Sequence, residues 1–210
     1  TGKPKGIVHV HGGYQVGLHA TAEVVMRLDA TQDMLFVVAS TGWITGQSYM
    51  LGAALVHRVP SILMDGSPVE PPYRFARVIH RHRATVLKAG STFLRMFMSQ
   101  PDAVASLRGF DLTCLRLGVF CAEPVNQVVH AFAVRHMTAN YINCYWATEH
   151  GGIVFGLEYM DSRIVVPDAS TRALPWIVAD VVHLEGLHRA DDDEQGDIVI
   201  LNRYPYQALT

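Results

Sequence analysis

The sequence predicts an α/β fold: an open, largely parallel sheet flanked by helices, followed by the start of a second, β-rich region. Two observations carry that expectation. Up to Tyr145, short runs that are apolar on both faces alternate with longer segments of helical spacing, as strands buried in a parallel sheet alternate with crossover helices. From Gly152 onward the helical spacing gives way to shorter β-like runs. Residues 1–152 are therefore expected to form an α/β core, and residues 153–210 a β-rich continuation of the same large domain.

The elements follow in order. Residues 7–11 read as a strand with His9 and His11 on one face, and residues 12–28 as a helix spaced by Val16, Ala20, Val24 and Leu28. A buried strand at 34–39 leads into the loop Ser40-Thr41-Gly42-Trp43-Ile44-Thr45-Gly46, then a helix over 50–57 and a strand over 61–64. Pro71 and Pro72 open a helix over 73–83 whose inner stripe is Phe75, Val78, Ile79 and His82, with Arg74, Arg77 and Arg81 outside. A short strand at 85–88 precedes a helix capped by Ser91 and containing Leu94, Phe97 and Met98. The strand at 115–120 runs into Cys121-Ala122-Glu123-Pro124, and Pro124 suits the first turn of a helix over 125–136 with Val125, Val128, Val129 and Phe132 inward. A strand at 141–145 and β-like runs at 153–157, 177–184 and 197–201 complete the reading, with Asp191-Asp192-Asp193-Glu194 at a hairpin tip.

Composition limits the function. Half of the 210 residues are hydrophobic and only 17% are charged, against about 25% in ordinary soluble domains. Too few charges are present to coat a free-standing globule, so the chain reads as the inner portion of a larger protein. A net charge of −2 gives no reason to expect nucleic acid or an acidic membrane as partner. No apolar run reaches spanning length, because Arg58 and Pro60 interrupt the best candidate. Three cysteines, Cys114, Cys121 and Cys144, without CxxC spacing suit a reducing, cytoplasmic setting.

The chemistry gathers in loops at strand ends. Asn143-Cys144-Tyr145-Trp146-Ala147-Thr148-Glu149-His150-Gly151-Gly152 offers a hydroxyl, a carboxylate and two glycines within a few residues. A hydroxyl donates to a phosphate oxygen, a carboxylate holds magnesium, and glycines let backbone approach an anion closely. Thr1-Gly2-Lys3-Pro4-Lys5-Gly6 adds two ammonium groups beside exposed backbone donors, a combination suited to a polyphosphate or to a solvated loop. It is not a Walker A loop, since Pro4 stands where a Ser or Thr would follow the Gly-Lys pair. Glu123 suits either a helix N-terminus or the amino and ribose groups of a ligand. Trp43 and Thr45, between glycines, suit a pocket wall or a packed turn. A nicotinamide-binding fold would need GxGxxG after the first strand, and that motif is absent.

Four motifs, in order and across the whole chain, resemble the AMP-forming adenylating enzymes, the superfamily of acyl-CoA synthetases, adenylation domains and luciferases. They are Thr1 to Gly6, Gly42-Trp43-Ile44-Thr45-Gly46, Ala122-Glu123-Pro124, and Tyr145 to Gly152. Within the superfamily the chain is most similar to acetyl-CoA and propionyl-CoA synthetases. The resemblance implies ATP, Mg2+ and coenzyme A, a short-chain carboxylic acid, and a two-step reaction through an acyl-adenylate. By position it puts Thr1, Gly2, Lys3, Lys5 and Gly6 over the β and γ phosphates, with Lys5 among the catalytic groups. Ala122, Glu123 and Pro124 lie along the adenosine, and nucleotide contacts extend over Asn143, Cys144, Tyr145 and Trp146. Thr148 meets the α-phosphate and Glu149 binds magnesium. Trp146 closes the acyl pocket, with Trp43, Ile44, Thr45 and Cys121 as its other wall, and Thr45 corresponds to a residue on the CoA-facing side.

The departures are Ala122 for the usual glycine, Asn143 for a common aspartate, and Ala147-Thr148-Glu149-His150 for Gln-Thr-Glu-Thr. This variant resembles the synthetase part of a trifunctional propionyl-CoA synthase, which activates 3-hydroxypropionate. The resemblance also implies a partial N-terminal domain that begins inside the phosphate loop and works with a mobile C-terminal domain, so these residues are expected to be inactive alone. The alternatives are a non-catalytic nucleotide-binding module and an adenylation domain for a different carboxylate.

Overall fold

The computed structural model describes residues 3, 6–121, 123, 125–157, 172–183, 185–186 and 188–202. Its centre is a five-stranded, all-parallel sheet in the order β2-β1-β3-β4-β5, formed by Ser61–Ile62, Leu35–Val38, Val86–Gly90, Leu117–Cys121 and Tyr141–Ile142. The strands are short and nearly all apolar, because both faces are covered. One face carries α1 (His11–Met26), a π-helical segment (Gly46–Ala53) and α2 (Ala54–His57), packed as Leu18, Ala22, Val25, Tyr49 and Met50 onto Leu35, Val37, Val86, Leu117 and Val119. The other carries α3 (Arg74–His82), α4 (Ser91–Met98), α5 (Pro101–Ser106) and α6 (Gln127–His136) around an aromatic cluster of Phe36, Phe75, Phe93, Phe97 and Phe120. The expected α/β architecture is therefore present.

Two small antiparallel sheets follow. One joins β6 (Cys144–Tyr145), β7 (Phe155–Gly156) and β8 (Arg172–Ala173), and the other has the order β10-β9-β11, from His188–Arg189, Ala179–His183 and Asp197–Ile200. The 141–145 strand is thus two strands. At Asn143, whose Oδ1 accepts the Cys144 N–H at 2.9 Å, the chain leaves the parallel sheet and pairs with β7 instead.

Other expectations need correction. Residues 7–10 are not a strand, because α1 begins at His11 and, among the described residues, no strand pairs with them. The buried stripe of α1 is Gly17, Leu18, Thr21, Ala22, Val25 and Met26, while Val16 faces solvent. The helix expected at 50–57 starts earlier: residues 44 and 45 are already helical, and the turn widens to π geometry from Gly46. In α3, Phe75, Ala76 and Ile79 are buried and His82 is exposed. Ser91 is the first helical residue of α4 rather than its cap, which is Gly90. Helix α6 starts at Gln127 behind Asn126, whose Oδ1 accepts the Val129 N–H at 2.9 Å, and Val128 points to solvent. The acidic run 191–194 is an exposed turn, but it links β10 and β11 across β9 rather than closing a hairpin.

Candidate nucleotide and acyl site

The strand register gathers the loops. Gly90 and Cys121 are register partners at the carboxyl ends of β3 and β4, and β5 passes directly into Asn143 and β6, so the loops after all three strands leave the same edge. That edge is where open α/β sheets bind ligands.

The loop after β6 is held from behind and open in front. Ala147 O accepts from the His150 N–H at 3.1 Å and the Gly151 N–H at 3.3 Å, making a tight turn that leaves Thr148 and Glu149 exposed at its tip. The Ala147 N–H donates to His150 Nδ1 at 3.1 Å. Burial pushes the His150 pKa below its usual value, against the opposing charge of Glu149, which suits the accepting, unprotonated nitrogen. The arm before α1 braces the turn: His9 Nε2 donates to Thr148 O at 2.7 Å. His9 and Tyr14 also crowd Gly151, whose φ of +74° and lack of a Cβ are both required there. His9 therefore serves the turn, and no group of three His, Cys, Asp or Glu side chains among the described residues could hold a metal by itself.

Trp146 lies beneath this turn, 5% exposed. Its ring meets Tyr49 edge-on at 5.1 Å, and Tyr49 OH bonds Thr21 Oγ1 at 3.1 Å and the Ile153 N–H at 2.9 Å. Tyr49 thus ties α1, the π-helical segment and both ends of the loop into one wall. Lys88 of β3 is buried completely against the same wall, its Nζ 4.7 Å from the Tyr49 ring centroid and 5.9 Å from that of Trp146. Asn143 and Cys144 are buried below, with Cys144 Sγ 2.8 Å from Phe120 O, and Tyr145 is partly exposed. Across the edge, Glu123 Oε2 accepts from Ser91 Oγ at 2.9 Å, the Thr92 N–H at 2.9 Å, the Thr92 hydroxyl and Arg95 Nη2 at 2.8 Å. It sits on the N-terminus of α4, and the Thr92 hydroxyl holds its carboxyl below the ordinary glutamate range.

Of the other expected site residues, Trp43 is 62% exposed, Ile44 is half-buried and Thr45 is buried at the start of the π-helical segment. Gly46 is needed beneath them, since a Cβ there would lie 2.2 Å from Ser40 O. Lys3 and Gly6 are exposed. Thr1, Gly2, Pro4, Lys5, Ala122 and Pro124 lie outside the described residues, as does the Cys121 side chain. Sequence reasoning missed the bracing roles of His9, Tyr14 and Tyr49. It also passed over Lys88, although a lysine inside an otherwise apolar strand is itself a signal.

The family model described as AMP-binding enzyme matches residues 1–204. The chain belongs to this family. Among curated relatives it is 31% identical to acetyl-coenzyme A synthetase of Chlorobaculum tepidum over 215 residues, covering 100% of this chain and 32% of that protein. It is 32% identical to the acetyl-coenzyme A synthetases of Rubrobacter xylanophilus, over 98% of this chain and 32% of that protein, and Pyrobaculum arsenaticum, over 98% and 31%. The chain thus spans about a third of the length of the curated relatives it matches. In this AMP-binding enzyme chain, the Tyr49–Trp146 contact joins the π-helical segment that follows Thr45 to the loop 145–152.

Proposed function

We propose that this chain is the nucleotide- and acyl-binding portion of an AMP-forming acid–thiol ligase for short carboxylic acids, with acetate, propionate and 3-hydroxypropionate as the candidate acids. The observation that carries the reading is the turn 147–152, which presents Thr148 and Glu149 to solvent immediately after the buried indole of Trp146. In the reaction, a carboxylate oxygen of the acid bonds to the α-phosphorus of ATP as pyrophosphate leaves. The thiol of coenzyme A then attacks the acyl carbon, and AMP departs.

Thr148 would donate its hydroxyl to an α-phosphate oxygen, and the His9 hydrogen bond to its carbonyl supports that role by holding the backbone of the turn. Glu149 is an exposed carboxylate, and Mg2+ keeps several waters and binds through one or two carboxylates plus substrate phosphates. Magnesium held there would supply charge neutralisation on the phosphate oxygens. Lys3 and, from the sequence, Thr1 and Lys5 would meet the outer phosphates, while Ala122, Glu123 and Pro124 would lie along the adenosine. Trp146 would limit the acid to a few carbons because its indole fills the space behind the turn. Residues 1–152 would hold these groups and residues 153–210 would continue the same domain.

The test is magnesium-dependent exchange of labelled pyrophosphate into ATP by the full-length chain, with acetate, propionate and 3-hydroxypropionate in turn. Exchange is expected with at least one acid, and Glu149→Gln is expected to lower it by roughly 100-fold or more. Magnesium-dependent ATP binding without exchange on any of the three would leave a non-catalytic nucleotide-binding module and overturn the ligase reading.

A further inference from the structure

Lysine is almost never fully buried unless it is paired. Lys88 is 0% exposed, yet among the described residues no carboxylate lies within ion-pair distance of it. Its polar neighbours are Phe120 O at 3.4 Å, long for an N–H···O bond, Cys144 Sγ at 3.5 Å, and the faces of Tyr49 and Trp146. An ammonium carries three N–H donors, and these two contacts accept from only two of them. On the neighbouring indole, whose centroid is 5.9 Å from Nζ, Trp146 Nε1 is buried with no hydrogen-bond partner among the described residues. Buried donors left without acceptors are uncommon and call for a reason.

Direction supplies one. The Cα of Lys88 is in register with Val119, but its ammonium reaches Phe120 O and Cys144 Sγ, further toward the carboxyl ends of the strands. The long stem thus carries the charge along the sheet toward the edge where the loops open, and stops against the indole assigned to the acyl wall. An aliphatic acyl chain offers nothing to either donor. An oxygen on the far carbon of a short acid offers two lone pairs to both.

We propose that Lys88 is a specificity-determining residue: with the Trp146 indole N–H, its ammonium selects a short acid bearing a hydroxyl at the carbon remote from the carboxylate. This rests on the reading of Trp146 as the acyl wall of a ligase. The selectivity comes from the site itself, because an acid without the oxygen leaves the buried donors unmatched.

The experiment compares kcat/KM for 3-hydroxypropionate, propionate and malonate in pyrophosphate release by the full-length chain, wild type and Lys88→Met. Wild type is expected to prefer 3-hydroxypropionate over propionate by roughly tenfold or more, and Lys88→Met to erase or reverse that ratio while propionate turnover survives. Equal use of the two acids by wild type would overturn the proposal even if the variant fails to fold. A uniform loss on both acids in folded Lys88→Met would reduce Lys88 to a support for the wall, and a wild-type preference for malonate would replace the hydroxyl with a second carboxylate. No turnover of any acid would instead sink the ligase reading beneath it.

Discussion

Gly151 shows how much of the site rests on one missing side chain. With φ at +74°, an added Cβ would sit 2.9 Å from Tyr14 Cε2 and 3.0 Å from His9 Cε1, the ring that braces Thr148. Gly151→Ala therefore combines left-handed strain of about 1 kcal/mol with overpacking of about 1 kcal/mol or more. In a domain of this size that is expected to lower the melting temperature by roughly 4–8 °C and to weaken ATP binding as His9 is pushed off the turn. A thermal melt and an ATP titration check both, and an unchanged melt would mean the ring moves aside freely. Gly152, with only ordinary contacts around its would-be Cβ, should accept alanine far better. The pair of glycines is visible in the sequence, but which of them is indispensable depends on the rings packed against it.

Among the elements, the π-helical segment Gly46–Ala53 does what an ordinary helix at 50–57 could not. Its widened turns bring Tyr49 inward, where the hydroxyl joins Thr21 to the Ile153 N–H. Tyr49→Phe keeps the ring against Trp146 but strands a buried backbone donor at Ile153. The expected cost is about 1–3 kcal/mol, read from denaturant midpoints, together with a raised KM for the acid as the wall loosens. Helix periodicity could not foretell this, because π geometry shifts side chains off the 3.6-residue stripe. A related surprise is the split of 141–145 into two strands. The apolar pattern is continuous through Asn143, and only the partner available on each side decides which sheet each half joins.

For the molecule as a whole, an ion pair between the partly exposed Arg116 and the buried Asp33 ties the amino ends of the sheet to α1. Arg116 donates through Nε at 2.8 Å and Nη2 at 2.6 Å to Asp33, and through Nη2 to Met26 O and Arg27 O at the end of α1. Thr85 Oγ1 and the Asp29 N–H complete the carboxylate's shell. Burial alone would raise the Asp33 pKa, but the Arg116 and Thr85 hydrogen bonds overcome it and hold the carboxyl below its ordinary range. A depressed folded pKa contributes stability that is complete above the unfolded value of about 3.9 and is lost as pH falls through the lower folded value. Melting temperatures are thus expected to drop as pH falls below about 4. Asp33→Asn should cost roughly 1–3 kcal/mol at pH 7, because it takes the counter-charge from a partly buried Arg116, and should flatten that acid slope. An unaltered slope in the variant would assign acid sensitivity to other carboxylates.

By itself the sequence determined the α/β class and the glycine-bearing turns that follow the strands ending at Val38 and Tyr145, because hydrophobic period and glycine punctuation are local properties of the chain. The family was readable for the same reason, since its motifs are contiguous and the matching region, residues 1–204, covers nearly all of the chain. What only the tertiary structure decided is which groups stand behind those loops: His9 under Thr148, Tyr49 between two helices and a loop, Glu123 on α4, and Lys88 against the indole. Each of these contacts joins residues more than 25 positions apart, and such pairings are settled by sheet register and packing, which no local pattern encodes.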